Sequence, residues 1–220
     1  MTFNAYAAKK AKAQLEPFRY DPKPLADDEV EIAISHCGIC HSDVHLVDGE
    51  WGDWFPLVPG HEIVGNVVTG GAFAPGERVG VGWQRNSCGE CKYCRAGEEV
   101  LCAKHEATCQ GNFGGFADRI RVNERFAFRI PDGMPSETAA PLLCGGITVY
   151  TPLRTYAAKG SRVGVIGIGG LGHLALLFAK ALGCEVTAFS RVAGKEADAR
   201  RFGADHFFTG GPEKGSFDLI

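Results

Sequence analysis

Four cysteines, Cys88, Cys91, Cys94 and Cys102, fall within fifteen residues and are separated by two, two and seven others. Around them stand Ser87, Gly89, Glu90, Lys92, Tyr93, Arg95, Gly97 and Glu98, a stretch too polar to bury itself. Four thiolates closing on one tetrahedral Zn²⁺ would fold it, because structural zinc sites take four protein ligands and leave no position open. Two disulfides are the competing use of the same residues. Repeated C-x-x-C spacing favours the metal in a chain whose polar start, Met1 to Gln14, holds no signal-peptide core. A second set is more scattered: Cys37, His61 and Cys144 each sit in a glycine-marked loop. Two thiolates and an imidazole are the ligand set of a catalytic zinc whose fourth position is open. By spacing alone, a buried free cysteine or a surface histidine remains open at each of the three.

A third constellation is Gly167-Ile168-Gly169-Gly170-Leu171-Gly172, which follows an expected strand and opens an expected helix. In that context Gly167 allows a tight turn, Gly169 lets a pyrophosphate approach the backbone, and Gly172 lets helix pack on strand. Gly170 and Leu171 open the helix, whose N-terminus offers free N–H groups to phosphate. The next strand ends at Phe189-Ser190-Arg191, with no carboxylate to take a ribose 2′-OH. Ser190, Arg191 and Lys195 instead offer hydrogen bonds to a 2′-phosphate, which favours NADP(H) over a solvated helix entry.

Short elements must position these residues. Val30–Ser35, Ile63–Val68, Arg78–Val81, Phe116–Val122 and Ala127–Ile130 read as strands separated by Gly, Pro and Asn turns. Many short strands with glycine-rich corners suggest a barrel-like β body. A helix is expected from Met134 to Ala140, with Ser136 as its N-cap. After Gly160 the pattern changes to strand 162–166, helix 171–182, strand 185–189, helix 195–202 and strand 206–208. That alternation means a parallel βαβ sheet. The expected domains are therefore 1–153, with a zinc lobe at about 86–104, and 154–220. Phe217 to Ile220 reads as the opening of a fourth strand, so the sheet is expected to be incomplete.

Composition narrows the class. Net charge is −3 and the cations are scattered, which leaves no electrostatic footprint for nucleic acid. No apolar run is long enough to span a bilayer. Nine cysteines without a secretory signal point to a reducing, cytoplasmic setting. An exposed sheet edge argues for association, and a homo-oligomer is the partner expectation.

Cys37-Gly-Ile-Cys-His-Ser-Asp43, Gly60-His-Glu-Ile-Val-Gly65, the four-cysteine lobe and Gly167 to His173 occur in family order. Together they resemble the zinc-dependent medium-chain alcohol dehydrogenases, specifically the cinnamyl-alcohol-dehydrogenase-like branch. The resemblance implies a GroES-like barrel catalytic domain followed by an incomplete Rossmann domain, with two zinc ions per chain. It implies Cys37, His61 and Cys144 as catalytic-zinc ligands, with Glu62 as an alternate ligand and Asp43 fixing the His61 tautomer. Ser42 would bond the substrate oxygen, His45 would relay its proton, and Thr148 would lie beside the nicotinamide. Cys40 is left as a buried thiol, and Cys109 and Cys184 have no role. The implied reaction is hydride transfer between NADP(H) and a small aldehyde or primary alcohol. Trp51, Trp54, Trp83 and Phe55 are candidates for an apolar substrate pocket. A non-catalytic, truncated zinc-binding fragment is the alternative, and polyols or quinones are alternative substrates. Compared with the family, residues 65–78 are several positions short, so a clipped strand or turn and a looser core behind His61 are expected there.

Overall fold

A computed structural model describes all residues, Met1 to Ile220. The backbone divides into two units, Met1–Cys144 and Gly145–Ile220. In the first, β1 (Phe3–Ala7) and β2 (Glu16–Tyr20) form an antiparallel pair. Then follow β3 (Glu29–Gly38), α1 (His41–Val47), β4 (Glu62–Gly70), β5 (Arg78–Val81) and β6 (Gln84–Asn86). The short helix α2 (Lys92–Arg95) precedes β7 (Glu106–Ala107), β8 (Arg119–Asn123), β9 (Phe128–Arg129) and α3 (Ser136–Pro141). An antiparallel five-stranded sheet has the order β8-β3-β4-β5-β9.

Alternation along these strands builds the core. Val30 and Ile32 of β3, Ile63 and Val67 of β4, Val79 and Val81 of β5, and Ile120 and Val122 of β8 form one buried cluster. Full burial contributes about 1.5–3 kcal/mol for each Val or Ile. A register shift between Ile34 and His36 then breaks the parity of β3. Beyond it Cys37, not His36, packs against this core. The looser core expected behind His61 is not found. β4 runs nine residues, turns back with Gly76 N–H donating to Val67 O at 2.8 Å, and leaves Ile63, Val64 and Val79 fully buried.

β1 and β2 were not expected, since β1 is short and lies in a polar terminus; α3 carries Pro135, not Ser136, at its N-cap. Between β5 and α3, Leu143 seats against the bare backbones of Gly80 and Gly82. Leu143 belongs to a π-turn, Leu142–Gly146, that also carries Cys144.

The second unit comprises α4 (Ile147–Tyr156), β10 (Arg162–Ile166), α5 (Gly170–Ala181), β11 (Glu185–Phe189), α6 (Glu196–Arg201) and β12 (His206–Phe208). Its sheet is parallel, in the order β10-β11-β12, as the alternating pattern requires. The expected fourth strand is present as a parallel bridge between Leu219 and Val163. Leu153 of α4 packs in the same core as Leu176, Val163 and Val186. That contact places α4 with this unit, whereas the boundary expected from sequence, after residue 153, falls inside the helix. No helix is long and apolar enough to cross a membrane.

Glu31 tests how the first unit holds together. It is 2% exposed and bonds Arg119 at 2.6 Å and Arg121 at 2.6 Å, both on β8. Removing one partner of such a group leaves the others uncompensated. Glu31→Ala should therefore lower stability by about 3 kcal/mol. An unchanged urea midpoint would contradict this account.

Candidate metal centres and nucleotide cradle

Between β6 and β7 the chain leaves the sheet as the four-cysteine lobe. Cys91 caps α2, Cys94 lies within it, and Cys102 follows a 3₁₀ turn, Glu99–Leu101. The sulfurs converge: Cys88 to Cys102 is 3.5 Å, Cys91 to Cys94 is 3.5 Å, and Cys88 to Cys94 is 3.9 Å. Tetrahedral Zn–S bonds of about 2.3 Å require sulfurs about 3.8 Å apart, so the lobe fits the ion. Disulfides are absent, and all nine cysteines are free. The N–H groups of Glu90 and Cys91 lower the Cys88 pKa to about 6. Hydrogen bonding to the Ser87 hydroxyl lowers that of Cys94 as well. Thiolates held this close repel one another unless a cation lies between them.

The second cluster corrects one expectation. Its ligand atoms, mutually within 4.8 Å, belong to Cys40, His61, Glu62 and Cys144; Cys37 is not among them. The reason lies in the backbone. β3 ends at Gly38, and Cys37 has been turned toward the sheet core, where its thiol donates to Gly38 O at 3.5 Å. Cys40 lies beyond the strand at the N-cap of α1, and its sulfur is 3.9 Å from that of Cys144. Ionisation follows the same division. Burial pushes the Cys37 thiol up to about 12. Burial also opposes ionisation of Cys40, but the Ser42 N–H and hydroxyl and the His61 ring bring its pKa below the ordinary value. Metal binding needs the thiolate, so Cys40 is the better donor.

Asp43 assembles the cluster. Its Oδ2 accepts from the Cys40 N–H at 3.0 Å, closing a capping box, while Oδ1 accepts from Gly60 N–H at 2.9 Å. Oδ1 also lies 3.0 Å from His61 Nδ1. A proton on Nδ1 fixes the tautomer and leaves Nε2 as a donor for metal, as ligating histidines need. Nε2 is the one buried side-chain nitrogen or oxygen without a hydrogen-bond partner. Burial works against a charged ring, yet Asp43 and the sulfurs of Cys109 and Cys144 raise the His61 pKa. A site that draws a proton so strongly also favours a cation at Nε2. The residues therefore fit a zinc ion.

Other expected residues fall close by. Ser42 Oγ is 3.6 Å from Cys40 Sγ, and His45 lies one helical turn further along α1. His45 Nδ1 meets Glu50 Oε2 at 2.5 Å, a partner the sequence reading missed. Trp51 stacks on His45 at 5.1 Å, and Trp83 sets its ring edge-on to His61 at 5.0 Å. Trp54 points elsewhere, its indole N–H donating to Trp51 O. Phe55 packs with Leu46, Leu57 and Cys109. The separation of three between Cys40 and Asp43, the capping-box spacing, is the sequence signal that distinguishes Cys40 from Cys37.

In the second unit, Gly167 has φ +88°, and a Cβ on Gly172 would stand 1.8 Å from Gly167 O. Both positions demand glycine. A Cβ on Gly169 or Gly170 would meet nothing within 4 Å, so the backbone there is open to a ligand. Lys195 Nζ donates to Ile168 O at 2.8 Å, Ser190 Oγ accepts from Val192 N–H at 3.2 Å, and Arg191 is exposed. Leu171 and Thr148 are exposed too. The open glycines at a helix N-terminus fit a dinucleotide phosphate.

Residues 26–132 match the alcohol dehydrogenase GroES-like domain. Over 98% of its length the chain is 45% identical to an aldehyde reductase of Synechocystis, covering 68% of that protein. The chain belongs to the medium-chain alcohol dehydrogenase family. Solved members of the family agree with the fold. A cinnamyl alcohol dehydrogenase from Sorghum bicolor superposes with a TM-score of 0.90 at 41% identity, over 94% of this chain and 64% of that one. Another from Helicobacter pylori, solved in complex with NADP(H), gives 0.89 at 37% identity, over 95% and 65%. The chain thus spans about two thirds of these medium-chain dehydrogenases.

The two thiol environments give a direct test. In metal-free protein Cys88 should alkylate at neutral pH, with its rate falling about tenfold per unit below pH 6 as the thiolate takes up a proton. Cys37 should stay unmodified until the pH nears 12. Peptide mapping that found both labelled equally at pH 7 would contradict these assignments.

Proposed function

We propose that this chain is the metal- and nucleotide-binding part of a zinc-dependent, NADP(H)-dependent oxidoreductase acting on aldehydes and primary alcohols. The observation that carries the reading is His61 Nε2, buried and unpartnered, among Cys40, Cys144 and Glu62. Zinc held there would supply a Lewis acid for a carbonyl or alcohol oxygen, and the dinucleotide would supply or accept the hydride.

The chain's own residues supply the rest. Asp43 holds the His61 proton on Nδ1 and fixes the ring. Gly38 permits Glu62 to reach the cluster, since a Cβ there would stand 2.0 Å from Glu62 Oε2. The Ser42 hydroxyl, next to Cys40, takes the proton of an alcohol and passes it along α1 to His45. With Nδ1–H donated to Glu50, the other ring nitrogen of His45 is the base that receives it. Trp51 and Trp83, 6.0 Å apart and edge to face, form an aromatic wall from His45 to His61. Such a wall suits aromatic or medium-chain substrates and excludes water from the reacting oxygen.

For the cofactor, β11 ends without a carboxylate. Arg191 and Ser190 stand where a 2′-phosphate would gain charge-assisted hydrogen bonds. The NADP(H) complex of the Helicobacter pylori relative supports this choice.

Metal analysis tests the centre. The purified chain should hold two zinc ions, and Cys40→Ser should hold one; a variant that kept both would remove Cys40 from the centre. Arg191→Ala should weaken NADPH binding roughly tenfold and leave NADH binding unchanged. Equal losses for both, followed by nucleotide fluorescence, would refute the 2′-phosphate assignment.

A further inference from the structure

The thiol of Cys37 is left without a role by the correction above, yet it is not idle in the packing. Its sulfur lies between two glycines. A Cβ built on Gly60 would come within 2.9 Å of Cys37 Sγ, and one built on Gly115 within 2.8 Å. Those glycines are bonded to each other, Gly115 N–H donating to Gly60 O at 2.7 Å. On either side Gly114 N–H donates to Val58 O at 2.8 Å and Phe116 N–H to Pro59 O at 2.9 Å. The segment Val58–Gly60, which delivers His61, is therefore laid against Gly114–Phe116 as backbone on backbone. A Cβ on Gly114 would itself stand 2.5 Å from Gly60 O. The Cys37 sulfur is among the three nearest atoms to both positions, beside Phe116 at Gly60 and Ile63 at Gly115.

We propose that Cys37 is a positioning residue: its sulfur gauges the separation of Gly60 and Gly115 and so sets where His61 Nε2 lies in the metal cluster. Interiors are packed closely enough that one heavy atom more or less is felt. Gly60 is flanked by Phe116 as well, whose ring and backbone nitrogen a Cβ there would meet at 2.6 and 2.8 Å. The Gly60 N–H is tied to Asp43 at 2.9 Å and its carbonyl to Gly115, so a shift of Gly115 carries His61 with it. A side chain broader than sulfur would push the glycines apart, while a shorter one would let them close. The inference rests on the zinc reading above, and on Cys40, not Cys37, being the ligand.

Cobalt(II) loading is the test, because the four-cysteine lobe provides an internal reference in every sample. The wild-type chain should bind two equivalents, and Cys37→Ser, nearest in size, should bind two as well. Cys37→Val should bind the lobe equivalent normally, while its second equivalent binds at least tenfold more weakly and its ligand-field bands shift. Two equivalents with an unchanged spectrum in Cys37→Val would overturn the inference and leave the centre intact. A single equivalent in the wild type would overturn the zinc reading itself, and the inference with it. Should Cys37→Val lose the lobe metal as well, Cys37→Ala removes the sulfur without adding bulk. There a second equivalent weakened at least tenfold, with the lobe unaffected, supports the role, and wild-type affinity overturns it.

Discussion

One buried carboxylate organises the first unit. Asp43 is 3% exposed and accepts from three donors: the N–H of Cys40, the N–H of Gly60, and His61 Nδ1. These donors come from the start of α1 and from the segment before β4. Asp43 thus ties the segments that carry Cys40 and His61 to one point. The carboxylate thereby closes a helix, anchors a loop and selects a tautomer at once. Burial makes such bonds strong because water does not compete for them. It also makes them mutually dependent, since an Asp with two of its three donors would be a buried charge half satisfied.

The two metal clusters are solved by opposite means. The lobe has little apolar content, and its sulfurs come together through backbone turns around α2 and the 3₁₀ turn before Cys102. An ion held by the four thiols would supply its cohesion. The Cys40–His61–Glu62–Cys144 cluster is built on strands and helices already packed by Ile63, Val64 and Leu143. There the scaffold fixes the donors, and Nε2 of His61 is the atom left in need of a partner.

Much of this was legible in the residues, and the failures have identifiable causes. The parallel strands of the second unit, their helices and the glycine turn at 167–172 could be read because period and turn chemistry agree there. The four-cysteine lobe could be read because its spacing is local. Between Cys37 and Cys40 the Cys40–Asp43 spacing was the one sequence signal, because a bulge between Ile34 and His36 inverts the simple alternation of β3. Without that bulge, His36 and not Cys37 would face the core. The pair β1–β2 escaped because five-residue strands, one containing Pro17, carry too little periodicity to stand out. Glu50 could not be assigned for another reason: its contact with His45 depends on how the chain turns after α1.

The four-cysteine lobe leaves the sheet after β6 and returns at β7, and these two strands pair, with Gln84 opposite Ala107 and Asn86 opposite Glu106. Entry and exit of the excursion are thus side by side, as they are in any hairpin. Loops whose ends already meet can be lengthened or shortened at little cost in closure entropy. The lobe is accordingly an excursion held to the rest of the unit by few bonds, among them Arg125 to Glu99 at 3.0 Å. Evolution could trim it to a short turn, or exchange it for another insert, without disturbing the strands that carry His61.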